Sequence, residues 1–217
     1  MKYQLDVCAR ANQHESIEQK HAKFFSRLRE IPHPWGIDGQ EAPPAPDIGG
    51  NLLVGVTISK LLGKGIRGQI CYQFRYDFPE DIAMYDDFVD LSFNPERVDY
   101  KQLVCKILPV YIDAFDAYRA RIYEEEFVHI DFDKERAFPG DNRNSVYRVT
   151  PVSFYDETLC QRAFHLTAAE IVERLSGKIE DVRLLHNGVY IIGSSEPLPL
   201  EEADRLCWDM KRWITGE

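Results

Sequence analysis

HNGVYIIGSSEPLPLEEADRLCW, residues 186–208, runs from a strand-like apolar segment through a polar turn and two prolines into an acidic, amphipathic stretch. Asn187-Gly188 is a strong short hairpin signal, because both residue types tolerate positive φ. It predicts that residues 181–186 and 189–193 pair as antiparallel strands. Pro199 suits a first helical position, so the last helix begins near it. Ala203, Leu206, Cys207, Met210, Trp213 and Ile214 form the buried stripe of that helix, and Trp208 points away from it beside Asp204, Arg205 and Arg212.

The same plan is legible about a hundred residues upstream. Aligning Pro95 with Pro197 matches Val98 with Leu200, Asp99 with Glu201, Val104 with Leu206, and Cys105 with Cys207. Residues 2–9 alternate as a half-buried strand, with Tyr3, Leu5 and Val7 on one side. Ile17, His21, Phe24, Phe25, Leu28 and Ile31 share a helix face. The Pro- and Gly-rich stretch 32–50 is loop. Residues 52–62 read equally as a strand or a short helix. Residues 69–78, with Ile70, Tyr72, Phe74, Tyr76 and Phe78 on one face, and residues 86–93 form a hairpin with a long connection.

Asp99 caps a helix whose apolar face is Val104, Ile107, Leu108, Tyr111, Phe115 and Tyr118, with a kink or break expected at Pro109. Residues 146–155 read as a strand, and Pro151 favours an edge or a bulge. Thr167 and Glu170 form a capping box that opens a helix through about Leu175. Both halves, 1–125 and 140–217, thus read strand, helix, hairpin, helix, a candidate structural pseudo-repeat inside a single domain spanning residues 1–217. The fold class is α+β, a mostly antiparallel sheet with helices covering one face.

Bulk properties narrow the function. The 217 residues carry a formal net charge of −10, which disfavours nucleic acid and anionic lipid as partners and favours a basic one. No apolar run approaches the ~18 residues that span a bilayer, and the start MKYQLDVCARANQ lacks a signal-peptide core, so the expected location is the cytoplasm. Cys8, Cys71, Cys105, Cys160 and Cys207 are scattered and form no CxxC pair, which argues against a disulfide framework and against zinc.

Local chemistry is sparse. GKGIRG, 63–68, matches a phosphate-cradling pattern, but a strand follows it where a helix would be needed, so it reads as a turn. His21, on an apolar helix face, reads as a core histidine. If residues 128–133 are a strand, His129, Asp131 and Asp133 share one face and could ligate a metal, with Val128, Ile130 and Phe132 toward the core. A solvated polar face has the same pattern, and the expectation is no metal and no other cofactor. Acidic bands at 78–90 and 124–135 read as solvated faces or as a docking surface for a basic partner.

The run NGVYIIGSSEPLPLEEADRLCWDMKRWI, 187–214, resembles the ending of bacterial polymorphic-toxin immunity proteins, most of all the immunity protein 52 family. The resemblance implies a non-enzymatic antitoxin that binds and neutralises a restriction-endonuclease-like nuclease toxin, of the kind delivered between bacteria, including by type VI secretion. No binding motif carries over residue by residue, so the contacts rest on charge. Asp86, Asp87, Glu124, Glu125, Glu126, Asp131 and Asp133 are expected at the toxin interface, with Trp208, expected to be exposed, as an apolar anchor. The loop around Trp35 is the alternative contact. A metal-dependent hydrolase using His129, Asp131 and Asp133 is the alternative function.

Overall fold

The computed structural model describes residues 2–47, 49–75 and 81–216. Eight strands form one sheet in which every neighbouring pair is antiparallel: β1 (Tyr3–Arg10), β2 (Leu53–Thr57), β3 (Arg67–Gln73), β4 (Asp86–Phe93), β5 (Arg119–Glu124), β6 (Val152–Asp156), β7 (Asp181–Leu185) and β8 (Gly188–Ile192). Their order is β2-β3-β4-β1-β5-β6-β8-β7. Tyr76 and Phe78, expected on β3, and Glu80, in the first acidic band, lie outside the described residues.

Alternation sorts the side chains onto two faces. Leu5, Val7, Ile70, Val89, Leu91, Ala120, Ile122, Phe154 and Tyr190 build one core with α1 (Ile17–Leu28) and α3 (Leu108–Phe115). Cys8, Tyr155, Val189 and Ile191 build another, under α5 (Glu157–Phe164), α6 (Ala168–Leu175) and α7 (Leu200–Thr215). Helices therefore cover both faces, not one. Across β1, β4 and β3, Gln4, Asp6, Gln69, Asp90 and Ser92 stay half or fully exposed on the second face. Among the described residues no helix is long and apolar enough to cross a membrane.

Local chemistry explains the elements that the sequence announces. The Ser16 hydroxyl accepts from the Gln19 N–H while the Gln19 side chain accepts from the Ser16 N–H, closing a capping box at α1. The box at Thr167 and Glu170 opens α6 in the same way. His21 is a satisfied core residue, its ring nitrogens 3.1 Å from the Tyr72 hydroxyl and 2.8 Å from the Pro43 carbonyl. Loop 32–50 is not free to reach a partner through Trp35, whose ring is fully buried edge-on against Phe93.

The hairpin at 181–192 forms, one residue out of the expected frame. Leu185 pairs with Gly188, so the turn is His186-Asn187, and His186 takes the positive φ, 50°. Gly188 serves close approach instead: a Cβ there would stand 2.2 Å from the Tyr155 carbonyl oxygen of the neighbouring strand. In the GKGIRG turn, Gly65 takes φ 94° and β3 follows directly.

Asp99 caps as expected, accepting from the Gln102 N–H. The helix then starts as α2 (Tyr100–Gln102), widens into a π turn over Leu103–Ile107, and continues as α3. Pro109 accounts for the interruption. In the π pattern the Leu108 N–H closes on the Leu103 carbonyl, and the next bond would run from residue 109 to Val104. Proline has no N–H to give. The Tyr190 hydroxyl donates to the Val104 carbonyl in its place, at 2.6 Å. Tyr118 is not on this helix, which ends at Phe115 before Asp116 turns left-handed.

Strand β5 and helix α5 correspond to no element of the sequence reading. Residues 146–151 are irregular, and β6 begins only after Pro151, in the sheet interior. Residues 126–137 form a helix, α4 (Glu126–Ala137), not a strand. Only with β2 and α6 left out do the flanks β1-α1-β3-β4-α3 and β6-α5-β7-β8-α7 share an order of elements, and the fold does not establish the pseudo-repeat: Cys105 is half-exposed in the π turn, whereas Cys207, matched to it, is fully buried in α7.

Candidate docking surface

The acidic residues expected at an interface divide into two groups. Asp86 and Asp87 begin β4 and point to opposite faces of the sheet, both inward. Asp87 is fully buried. It accepts from the Arg75 guanidinium at 2.8 and 3.0 Å and from the Gln73 N–H at 2.8 Å, with the Lys20 ammonium 3.5 Å away. Burial pulls the Lys20 pKa down, against the opposing pull of Asp87. Asp86 accepts from the Tyr118 hydroxyl at 2.5 Å and from Arg143 Nε at 2.7 Å. Arg143 continues to Asp81 at 2.8 Å, and Asp81 also accepts from Arg162 at 2.5 Å. Asp86 and Asp87 are thus structural, fixed by cations distant in sequence, and neither can meet a partner.

The second group lies on and beside α4. A helix puts Phe127 and Asp131 on the same side, one turn apart, and both are 4% exposed. Phe127 packs with Tyr123 and with Ala203 and Cys207 of α7. Asp131 accepts from Arg148 Nε at 2.5 Å, and the same guanidinium reaches Asp204 of α7 at 2.5 Å. Arg148 lies over the rings of Phe127 and Trp208, 4.5 and 4.9 Å from their centroids. Burial works to lower its pKa but is outweighed by Asp131 and Asp204, so the guanidinium stays charged. One cation therefore holds α4, α7 and the 138–150 segment together.

The inward turn of Asp131 removes the strand-like ligand trio. His129 and Asp133 share the outer side of α4 without it, and among the described residues no three His, Cys, Asp or Glu side chains gather as a metal-ligating group. The expectation for the apolar residues reverses too: Val128 is 42% and Ile130 44% exposed. The side chains of Phe132 and Glu135 lie outside the described ones.

Residues 128, 129 and 130 together sweep about 200° of the helix. All three face solvent. Val128 and Ile130 therefore stand on opposite flanks of this arc, and the exposed carboxylates of Glu126 and Asp133 lie with His129 between them. Glu125 is half-exposed, accepting from Lys2 at 2.6 Å and from Gln4 at 3.2 Å; these bonds, that from Lys2 first, hold its pKa down. Glu124 is half-exposed on β5, and burial raises its carboxyl. Trp208 is half-buried, not freely exposed. Tyr147 meets it edge-on at 5.4 Å, so the chain's own 138–150 segment covers it.

Of the expected contacts, Glu125, Glu126 and Asp133 thus gather on one ridge, with Glu124 beside it and Trp208 in its footing. Asp86, Asp87 and Asp131 do not join them. Val128, Ile130 and the Arg148 clamp were missed. The signal available was the spacing of Phe127 and Asp131, which suits a helix with one narrow inward side. A scan against models of known protein families finds no match, and a search of curated proteins finds no relative.

Proposed function

We propose that this chain is a non-catalytic binding protein that neutralises a basic protein partner, with the α4 ridge as its docking face. The observation that carries the reading is the outer side of α4, where the exposed carboxylates of Glu126 and Asp133 stand with His129 between two exposed apolar flanks, Val128 and Ile130. Apolar side chains left exposed beside charged ones supply the mixed surface that a protein interface uses. The carboxylates supply steering toward positive charge, and the net charge of −10 extends that field.

A nuclease fits as the partner class. Its cleft carries positive charge to hold phosphate, and a ridge of carboxylates occupies such a cleft as a phosphate mimic. The resemblance of residues 187–214 to polymorphic-toxin immunity proteins supports the same choice, and with it action in the cytoplasm against a toxin delivered between bacteria. Blocking of this kind needs no turnover.

Co-purification with the product of the neighbouring gene tests this, together with that product's cleavage of plasmid DNA. The expected result is a stable complex, abolished cleavage, and association that slows as salt rises. Cleavage unchanged by an excess of this chain overturns the reading.

A further inference from the structure

The two outermost strands, β2 and β7, end the sheet differently. Strand β7 carries Asp181 and Arg183, which pair with each other, and charges of this kind discourage the approach of another strand. Strand β2, LVGVT, has none. No charged residue occurs from Ile48 to Ser59. Leu52 is 70% and Leu53 43% exposed.

The hydrogen-bond pattern says which backbone groups β2 leaves open. The Leu52 carbonyl accepts from the Phe74 N–H at 3.0 Å, and the Ile58 N–H donates to the Gly68 carbonyl at 2.9 Å. Even-numbered residues therefore bond inward to β3. In an antiparallel ladder the alternate residues direct both groups outward, so Leu53, Gly55 and Thr57 present N–H and C=O to solvent. Among the described residues no strand pairs with that edge.

This open pattern is symmetric about Gly55. We propose that β2 is a self-association edge, pairing antiparallel with β2 of a second copy of this chain about a twofold axis at Gly55. That register makes three hydrogen-bonded residue pairs: Leu53 with Thr57 of the partner subunit, Gly55 with Gly55 of the partner subunit, and Thr57 with Leu53 of the partner subunit. Every outward group then finds a partner. Val54 meets Val56 of the partner subunit on the other face, in both directions.

Charge favours a second copy at this edge. Two chains of net charge −10 repel over most of their surfaces, and an uncharged strip is where they can meet. A basic partner gains nothing there. A five-residue ladder is small beside the ~1,000 Å² of a stable interface, so the dimer exchanges with monomer and grows with concentration. The inference is independent of the toxin reading, since it concerns a different edge of the molecule.

Sedimentation velocity over a concentration series tests it. The wild-type chain is expected to shift from monomer toward dimer as concentration rises. The double variant Leu53→Lys, Thr57→Lys puts lysine opposite lysine in two of the three pairs and should stay monomeric. The double variant Leu53→Lys, Thr57→Glu puts lysine opposite glutamate in the same two pairs and should dimerise again. Positions 53 and 57 are exposed, and equal thermal melts of the two variants show that each folds. A wild-type chain that remains monomeric throughout, or a lysine–lysine variant that dimerises like wild type, overturns the proposal.

Discussion

Residues 81–90 and 124–133 look alike in sequence, each an acidic band broken by apolar residues, and the fold treats them in opposite ways. The first sends Asp86 and Asp87 to the interior, where Arg75, Lys20 and Arg143 hold them, while Asp81 and Asp90 stay toward solvent. The second keeps Glu126 and Asp133 in solvent and draws in only Asp131. What separates them is the supply of cations from elsewhere in the chain. A run of carboxylates becomes surface by default and becomes interior where guanidinium groups converge on it.

The largest effect expected from this contrast is at Asp87. Asp87→Ala leaves Lys20, 1% exposed, without its buried counter-charge and leaves Arg75 without its bidentate acceptor. Breaking a buried pair from one side costs about 3–5 kcal/mol. Urea unfolding reads this, and a loss below about 0.5 kcal/mol, the scale of ordinary surface changes, would erase the distinction between the two bands.

Asp131→Ala comes next, at about 1.5–3 kcal/mol for a lost charged hydrogen bond. Its signature is local. Amide hydrogen exchange should quicken through α4 while β4 stays protected, because Arg148 keeps Asp204 but loses its hold on α4. Equal quickening in both regions would mean that Arg148 is no clamp.

A pH measurement sharpens the comparison from the interior side. Burial pushes the Asp86 carboxyl from 3.8 up to about 6, against the lowering pulls of Tyr118 and Arg143. A carboxyl with a raised folded pKa holds its proton more tightly in the fold. Its stabilising share is complete below about 3.8 and is lost as pH rises through about 6. Wild-type stability should therefore fall relative to Asp86→Asn across that window and run parallel to it above. Parallel curves throughout would show that Arg143 and Tyr118 fully offset the burial.

The smallest effect on stability, and the one that matters most for function, is on the ridge. Glu126→Lys with Asp133→Lys should change stability by less than about 0.5 kcal/mol. The same pair should slow association with a basic partner, most at low salt. Unchanged association in surface plasmon resonance at two salt concentrations would leave the ridge's charge with no part in docking.

Much of the fold was legible where a local signal stands by itself. The capping box at Thr167, alternation in β1 and β4, and the hairpin signal at Asn187-Gly188, whose turn falls one residue earlier, all act over a few residues. Strand β5 was hidden because Arg119 and Arg121 occupy inward-looking alternate positions, and only the folded sheet shows Arg119 buried beside Cys8. Alternation of Val128, Ile130 and Phe132 imitated a strand, yet Phe127 and Asp131 set the helical footing of α4. The site was the least legible part. Whether a carboxylate is buried depends on Arg75, Arg143 or Arg148, which come from other segments and leave no mark beside the aspartates they fix.

The Tyr190 hydroxyl that completes the Val104 carbonyl reaches back 86 residues. On the ribosome this becomes a matter of timing. The helix through Pro109 emerges early, with one main-chain acceptor left to water until β8 is made. Final docking of that helix on β8 therefore belongs to the last part of translation. Hydrogen exchange on chains stalled before residue 180 should find the amides of the 103–107 turn exchanging faster than in the finished chain, because the turn is not yet packed on β8.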